Sequence, residues 1–166
     1  SMSSYDRRAF LTLLAALPLA ACGFTPAYAP GGPAAGLLDR VLVDAPTDKN
    51  GFDLVERLEE RLGRTGAPKY RISYTIATTV EGQGITTTNA VTRFRISGTI
   101  DFALIDNVTD AVLSRGTVGS FTSYSASGTP VSTVSSEADA NTRLMRLLAD
   151  EIVTRLIATS GQWNRG

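Results

Sequence analysis

"VTRFRISGTIDFALID", Val91 to Asp106, alternates between apolar and polar residues along most of its length. Phe94, Ile96, Ile100, Phe102 and Leu104 fall on one parity, and Arg93, Arg95, Thr99 and Asp101 on the other. A period of two belongs to a β-strand with one face in a core and one in water. In a helix the same residues would scatter around the circumference. The stretch therefore predicts a half-buried strand, and its apolar face needs a second layer to cover it.

The neighbouring segments supply the rest of that sheet. In "KYRISYTIATTVE", Lys69 to Glu81, Tyr70, Ile72, Tyr74 and Ile76 share one face, with Arg71, Ser73 and Thr75 opposite. "EGQGITTTN", Glu81 to Asn89, reads as a polar connection, and "DNVTD", Asp106 to Asp110, as a turn. "AVLSRGTVGSFTSYSAS", from Ala111, alternates more weakly, and Gly116 and Gly119 mark a bulge or a close packing contact. "LLDRVLVDAP", Leu37 to Pro46, is a short apolar run that ends at a proline and reads as a first strand.

Two stretches follow the helical period instead. In "NGFDLVERLEERLGRTG", Asn50 is placed to cap a helix and Asp53 lies near its positive end. Leu54, Val55, Leu58 and Leu62 form its stripe, and Gly63 or Gly66 ends it. Near the C-terminus Ala140, Leu144, Leu148, Ile152 and Leu156 recur every four residues, after a Ser/Thr-rich loop at Ser127 to Glu137, with Ser135 or Ser136 as cap. Gly161 to Gly166 reads as a polar tail in which Trp163 is unpacked. The expected fold is α+β: a two-layer sandwich, order β-α-β-β-β-α, with a four-stranded, mostly antiparallel sheet packed on two helices. Leu54, Leu58, Phe94, Ile96, Phe102, Leu144, Leu148 and Ile152 are its expected core.

The start of the chain has a different character. Ser1 ahead of Met2 reads as a tag remnant. Arg7 and Arg8 precede an uncharged apolar run, Ala9 to Ala21, shorter than the ~20 residues a membrane-spanning helix needs. Basic start, short apolar run and small residues make residues 1–21 a signal peptide. Leu19, Ala20, Ala21 and Cys22 match the lipobox of bacterial lipoproteins, in which the cysteine is acylated, by palmitate among other chains. Several acyl chains hold a protein on a membrane where one does so only marginally. Gly23 in place of an aspartate favours the outer membrane. "DRRAFL" resembles a twin-arginine export signal at Arg7, Arg8, Phe10 and Leu11 and departs from it at Asp6 and Thr12, so either export route stays open. Residues 22–36, rich in Gly, Pro and Ala, read as a lipid-anchored tether, residues 37–160 as the folded domain and residues 161–166 as the tail.

Composition narrows the chemistry. The 166 residues carry a formal net charge of zero, which gives no general pull towards nucleic acid. The sequence has no histidine and a single cysteine, so Ser-His-Asp and Cys-His catalysis and His- or Cys-based zinc sites are excluded. No cofactor motif is present, and Glu59 and Glu60, adjacent on a helix, point about 100° apart and read as solvated surface.

"CGFTP" directly after the lipobox, "TRFRISGTIDFALID", "VLSRGTVGSFTSYS" and "RLLADEIVTRL", in that order, resemble the LptE family of lipopolysaccharide-assembly lipoproteins from Cys22 to Leu156. "VSTVSSEADAN", before the last helix, departs from the Tyr-Ala pair that relatives often carry there. The resemblance implies a non-enzymatic outer-membrane lipoprotein facing the periplasm. It implies a plug in the LptD barrel that assists the barrel's assembly and helps lipopolysaccharide reach the outer leaflet. Two other readings stand beside it: a generic outer-membrane-anchored periplasmic binding domain, and a carboxylate-based cell-wall hydrolase. The second needs aromatic sugar platforms, and an aromatic content of 7% offers few.

Two kinds of site residue follow. Cys22 is the lipidation site. By strand parity, Arg71, Arg93, Arg95 and Arg115 lie on the polar face of the sheet. Guanidinium groups bind phosphate oxygens in a two-pronged fashion, so these four are candidate contacts for the phosphates of lipid A.

Overall fold

A computed structural model describes residues 32, 34–85, 91–126 and 129–163. Its elements run β1 (Val41–Val43), α1 (Lys49–Leu62), β2 (Tyr70–Ile85), β3 (Val91–Asp106), β4 (Val112–Ser125) and α2 (Pro130–Trp163). The strands form one sheet in the order β1-β2-β3-β4. β1 pairs with β2 in parallel, as the α1 crossover between them requires, and β2, β3 and β4 form an antiparallel meander. The expected α+β sandwich and element order are therefore present.

The covered face of the sheet follows the alternation of β3. Ile96, Ile100, Phe102 and Leu104 are buried, as are Tyr70 and Ile72 of β2 and Val118 and Tyr124 of β4. Leu54, Leu58 and Leu62 of α1 and Leu144, Leu148, Ile152 and Leu156 of α2 close over them. Phe94 is the one member of the expected core set that is only partly buried; it stacks on Tyr124 with ring centroids 5.3 Å apart. Gly98 sits beneath α2, and a Cβ there would come within 3.0 Å of both Leu144 and Leu148. A side chain at this point of β3 would force the ends of the Leu144 and Leu148 side chains to give way.

The two helices run parallel, and polar groups fix their offset. Asp53, buried in α1, accepts hydrogen bonds from Lys49 Nζ at 2.9 Å and Thr142 Oγ1 at 2.9 Å. One turn further on, Arg57 donates from Nε and Nη2 to the two oxygens of Asp150 at 3.1 and 3.0 Å, and Arg61 donates to the same carboxylate at 2.6 Å. The Arg57 guanidinium is held charged well above its ordinary range by its bonds to Asp150 and Glu60.

Several boundaries differ from the sequence reading. The first strand covers only Val41–Val43; the preceding Leu37 to Arg40 turn against α1, where Asp39 N–H donates to Leu62 O at 2.7 Å. Gly63, with φ of 81°, accepts that approach because it has no side chain: a Cβ would meet the Asp39 carboxylate. Asp48, not Asn50, caps α1, since the helix begins two residues earlier and the Asp48 carboxylate reaches Gly51 N–H at 2.7 Å. β2 continues through most of the expected connection to Ile85, so a long hairpin extends past the N-terminus of α1.

The Ser/Thr-rich segment before the last helix is itself helical from Pro130. Proline fits the first helical turn, where its missing N–H has no partner to lose, and Thr129 Oγ1 accepts from Ser132 N–H at 3.3 Å in place of Ser135 or Ser136. These turns carry no apolar stripe because they are solvated; Val131 and Val134 are exposed. At the other end α2 runs on to Trp163, whose ring meets Tyr70 edge-on at 5.4 Å. The expected unpacked tail residue is thus a packing residue.

Candidate functional site

No helix among the described residues covers the second face of the sheet. Cross-strand partners share a face, so the register shows what this one carries. Its middle is built from small groups: Ala77, Thr99 and Gly119 form one row, and Thr75, Asp101 and Thr117 the next. Thr117 Oγ1 donates to the Asp101 carboxylate along that row. The result is a surface of mostly small, neutral groups, with Asp101 charged in its middle and arginines towards its two ends.

All four predicted arginines belong to this face, but they are not one patch. Arg71 is level with Ile105, and Arg115 with Ala103. Arg93 and Arg95 are level with Ser125 and Ser123. Eight residues of β3 separate the rows of Arg95 and Arg115, about 27 Å along the strand. Arg71 is half-buried and donates to the Asp44 carboxylate at 3.4 Å. Arg115 borders a shallow depression of about 370 Å³ shared with Asp101, Ser73, Thr75 and Val112. Each arginine at this end has acidic company.

The hairpin end also has carboxylates close by, Glu81 level with Arg95 and Asp139 in a groove with Arg93, and differs in its exposed aromatic ring. Arg93 and Arg95 follow one another on the same side of β3, with Glu81 and Gln83 across on β2. The Arg95 guanidinium lies 4.4 Å from the centre of the Phe121 ring, and Phe121 is 56% exposed. Arg95 Nε is buried without a hydrogen-bond partner. Arg93 lines a groove of about 300 Å³ with Ser123, Ser125, Ser136, Asp139 and Arg143. Two cations two residues apart, one stacked on an exposed aromatic ring, form a surface suited to an anion carried on an apolar body.

The sequence reading missed two members of this end, Phe121 and Arg143. The parity of β4 places Phe121 beside Arg95, but the Gly- and Ser-rich strand weakened that signal. Arg143 comes from α2 and joins the groove only through the tertiary fold. Cys22 lies outside the described residues, as do residues 86–90 between β2 and β3.

Other groups fit structural roles. Burial, with the nearby Asp48 and Asp44 carboxylates, raises the Tyr74 phenol above its ordinary value; burial and Glu137 do the same for Tyr124. Asp106 is held below the usual carboxylate value because Thr109 and Val108 donate their N–H groups to it in the β3–β4 turn. No cluster of His, Cys, Asp or Glu that could hold a metal occurs among the described residues. None of their helices is long and apolar enough to cross a membrane.

Residues 38–156 match the model of a family described as LptE, lipopolysaccharide-assembly. No curated protein matches the sequence at a significant level. Among solved structures, a protein of Caulobacter crescentus CB15 is similar, with 19% identity, coverage of 79% of this chain and 97% of that one, and a TM-score of 0.66. Rare lipoprotein B of Shewanella oneidensis, 11% identical, covers 76% and 98% with a TM-score of 0.58. A minor lipoprotein of Acinetobacter baumannii, 16% identical, covers 72% and 89% with a TM-score of 0.51. At these identities the three share the fold.

Proposed function

This chain belongs to the LptE family, and from that premise we propose that it is a non-enzymatic outer-membrane lipoprotein, anchored through acylated Cys22, that serves lipopolysaccharide assembly. In this reading it faces the periplasm, sits inside an LptD-type barrel, assists assembly of that barrel and helps pass lipopolysaccharide to the outer leaflet. The observation that carries the reading is the family match over residues 38–156, which takes in the whole sheet, all of α1 and most of α2.

The site chemistry supports it. Lipid A offers phosphates on an apolar body, and the hairpin end of the open face offers Arg93, Arg95 and the exposed Phe121 ring. Arg71, ion-paired with Asp44, and Arg115, which shares a depression with Asp101, stand at the far end without that ring. Nothing in the proposed action needs a bond to be made or broken.

The test is co-purification from outer-membrane fractions in a mild detergent. A large β-barrel protein should accompany the chain in a fixed ratio, and its absence would overturn the barrel reading. Cys22→Ser should release the chain from membranes in cells that lack the barrel; retention there would overturn the anchor.

A further inference from the structure

Three segments meet at the end of the sheet away from the hairpin. The chain before β1 turns against the C-terminal end of α1, with Ala34 and Leu37 buried. Lys69 and Tyr70 N–H donate to Arg40 O at 2.9 and 3.0 Å, and Asn107 N–H donates to Lys69 O at 2.9 Å. These bonds tie the start of the domain, the loop before β2 and the β3–β4 turn into one end.

That end carries apolar surface. Val108, beside Asn107 in the turn, is 85% exposed. On the open face, Leu42, Arg71, Ile105 and Val112 are level with one another across the four strands. Leu42 and Val112 are exposed and Ile105 partly so. The rows in the middle of the face hold small or polar groups instead. The charges here offset one another: Arg71 pairs with Asp44 and Arg64 with Glu59. The exposed Arg40 and Lys69 are matched by Asp39 and Asp110, and Asp106 accepts N–H groups of its own turn. Any attraction at this end is therefore apolar rather than electrostatic.

The point where the chain enters says what covers this surface. Cys22 stands ten residues before Gly32, at most about 35 Å of extended chain. An anchor at Cys22 joins the domain at this end, whereas Arg93, twelve residues back along β3 from Ile105, is about 40 Å away. A tether turns a second contact into an intramolecular event, so an apolar surface too small to hold the chain alone can still engage. We propose that this end is a second membrane contact, with Val108, Leu42, Ile105 and Val112 seated at the boundary between lipid headgroups and acyl chains. The inference rests on the anchor at Cys22 and not on the barrel reading.

The experiment places the full chain in vesicles of phosphatidylethanolamine and phosphatidylglycerol whose acyl chains carry bromine near the headgroup, which quenches a nearby tryptophan. Trp163 is the only tryptophan, so Trp163→Phe clears the background for one reporter at a time. With Val108→Trp, fluorescence should fall by about half relative to unbrominated vesicles; with Phe121→Trp, at the hairpin end, by less than about a tenth. Adding Leu42→Asp and Val112→Asp to the first reporter should cut its quenching about five-fold, with flotation and the unfolding midpoint unchanged. High salt should leave the quenching as it is. Equal quenching at the two ends, none at position 108, or loss of quenching in salt would overturn the contact. A chain that does not float with the vesicles would instead overturn the anchor reading. Cys22, the only cysteine, is then coupled to a maleimide phospholipid, and the same comparison of reporters decides the contact.

Discussion

The two faces of β3 divide the work of the molecule. One face sets Ile96, Ile100, Phe102 and Leu104 beneath two helices, all of them buried. The other sets Arg93, Arg95, Thr99 and Asp101 on a surface that no described helix covers. A single strand therefore supplies both the centre of the core and the candidate site. The alternation that specifies the fold also leaves the opposite parity free of packing duty. Substitutions should then separate cleanly: those on the covered face change stability, and those on the open face change binding.

The largest effect belongs to the covered face. Leu148 is fully buried between α2 and the sheet, so Leu148→Ala should cost about 2–5 kcal/mol in chemical denaturation. A loss below that range would mean that the helix layer repacks freely. Next come two glycines in neighbouring rows with opposite facing. Gly98→Val should cost about 1–3 kcal/mol, because the added carbons meet Leu144 and Leu148. Gly119→Ala, whose nearest neighbour would be Gly98 O at an ordinary 3.7 Å, should stay within about 0.5 kcal/mol of the parent. Equal costs at the two positions would break the division between faces.

The sequence showed this division because strand parity is a local property. Every buried residue of β3 could be assigned from the alternation alone. The same logic placed all four arginines on one face but could not place them along it. Their separation into two ends depends on register, set by turns and by the long hairpin. The boundaries that escaped are those without an apolar signal. Pro130 to Ala138 is helical through capping and because it continues the helix beyond, with its apolar residues in water. Trp163 stood alone in sequence because its partner, Tyr70, lies at the start of β2. Arg143 and Phe121 joined the hairpin end only once α2 and β4 were set beside β3.

The smallest effect tests the turn that fixes the register of β3 and β4. Asp106 is held below the usual carboxylate value of 3.8 by N–H groups donated from Thr109 and Val108. Its contribution is complete above the unfolded-state value and is lost as pH falls through the lower folded-state value. Asp106→Asn removes this titration. The variant should therefore lose less stability than the parent as pH is lowered from neutral through and below the usual carboxylate value, measured by denaturation at each pH. An identical acid dependence would mean that the turn carboxylate does not contribute.

The central claim is that the open face binds while the covered face folds, and the hairpin-end arginines test it most directly. Lipopolysaccharide should be titrated at low salt against the parent chain and the Arg93→Glu, Arg95→Glu double variant, with unfolding followed on the same samples. The account predicts affinity at least about ten-fold weaker in the variant, with stability unchanged to within about 0.5 kcal/mol. Equal affinity in a variant whose fold is intact would contradict it.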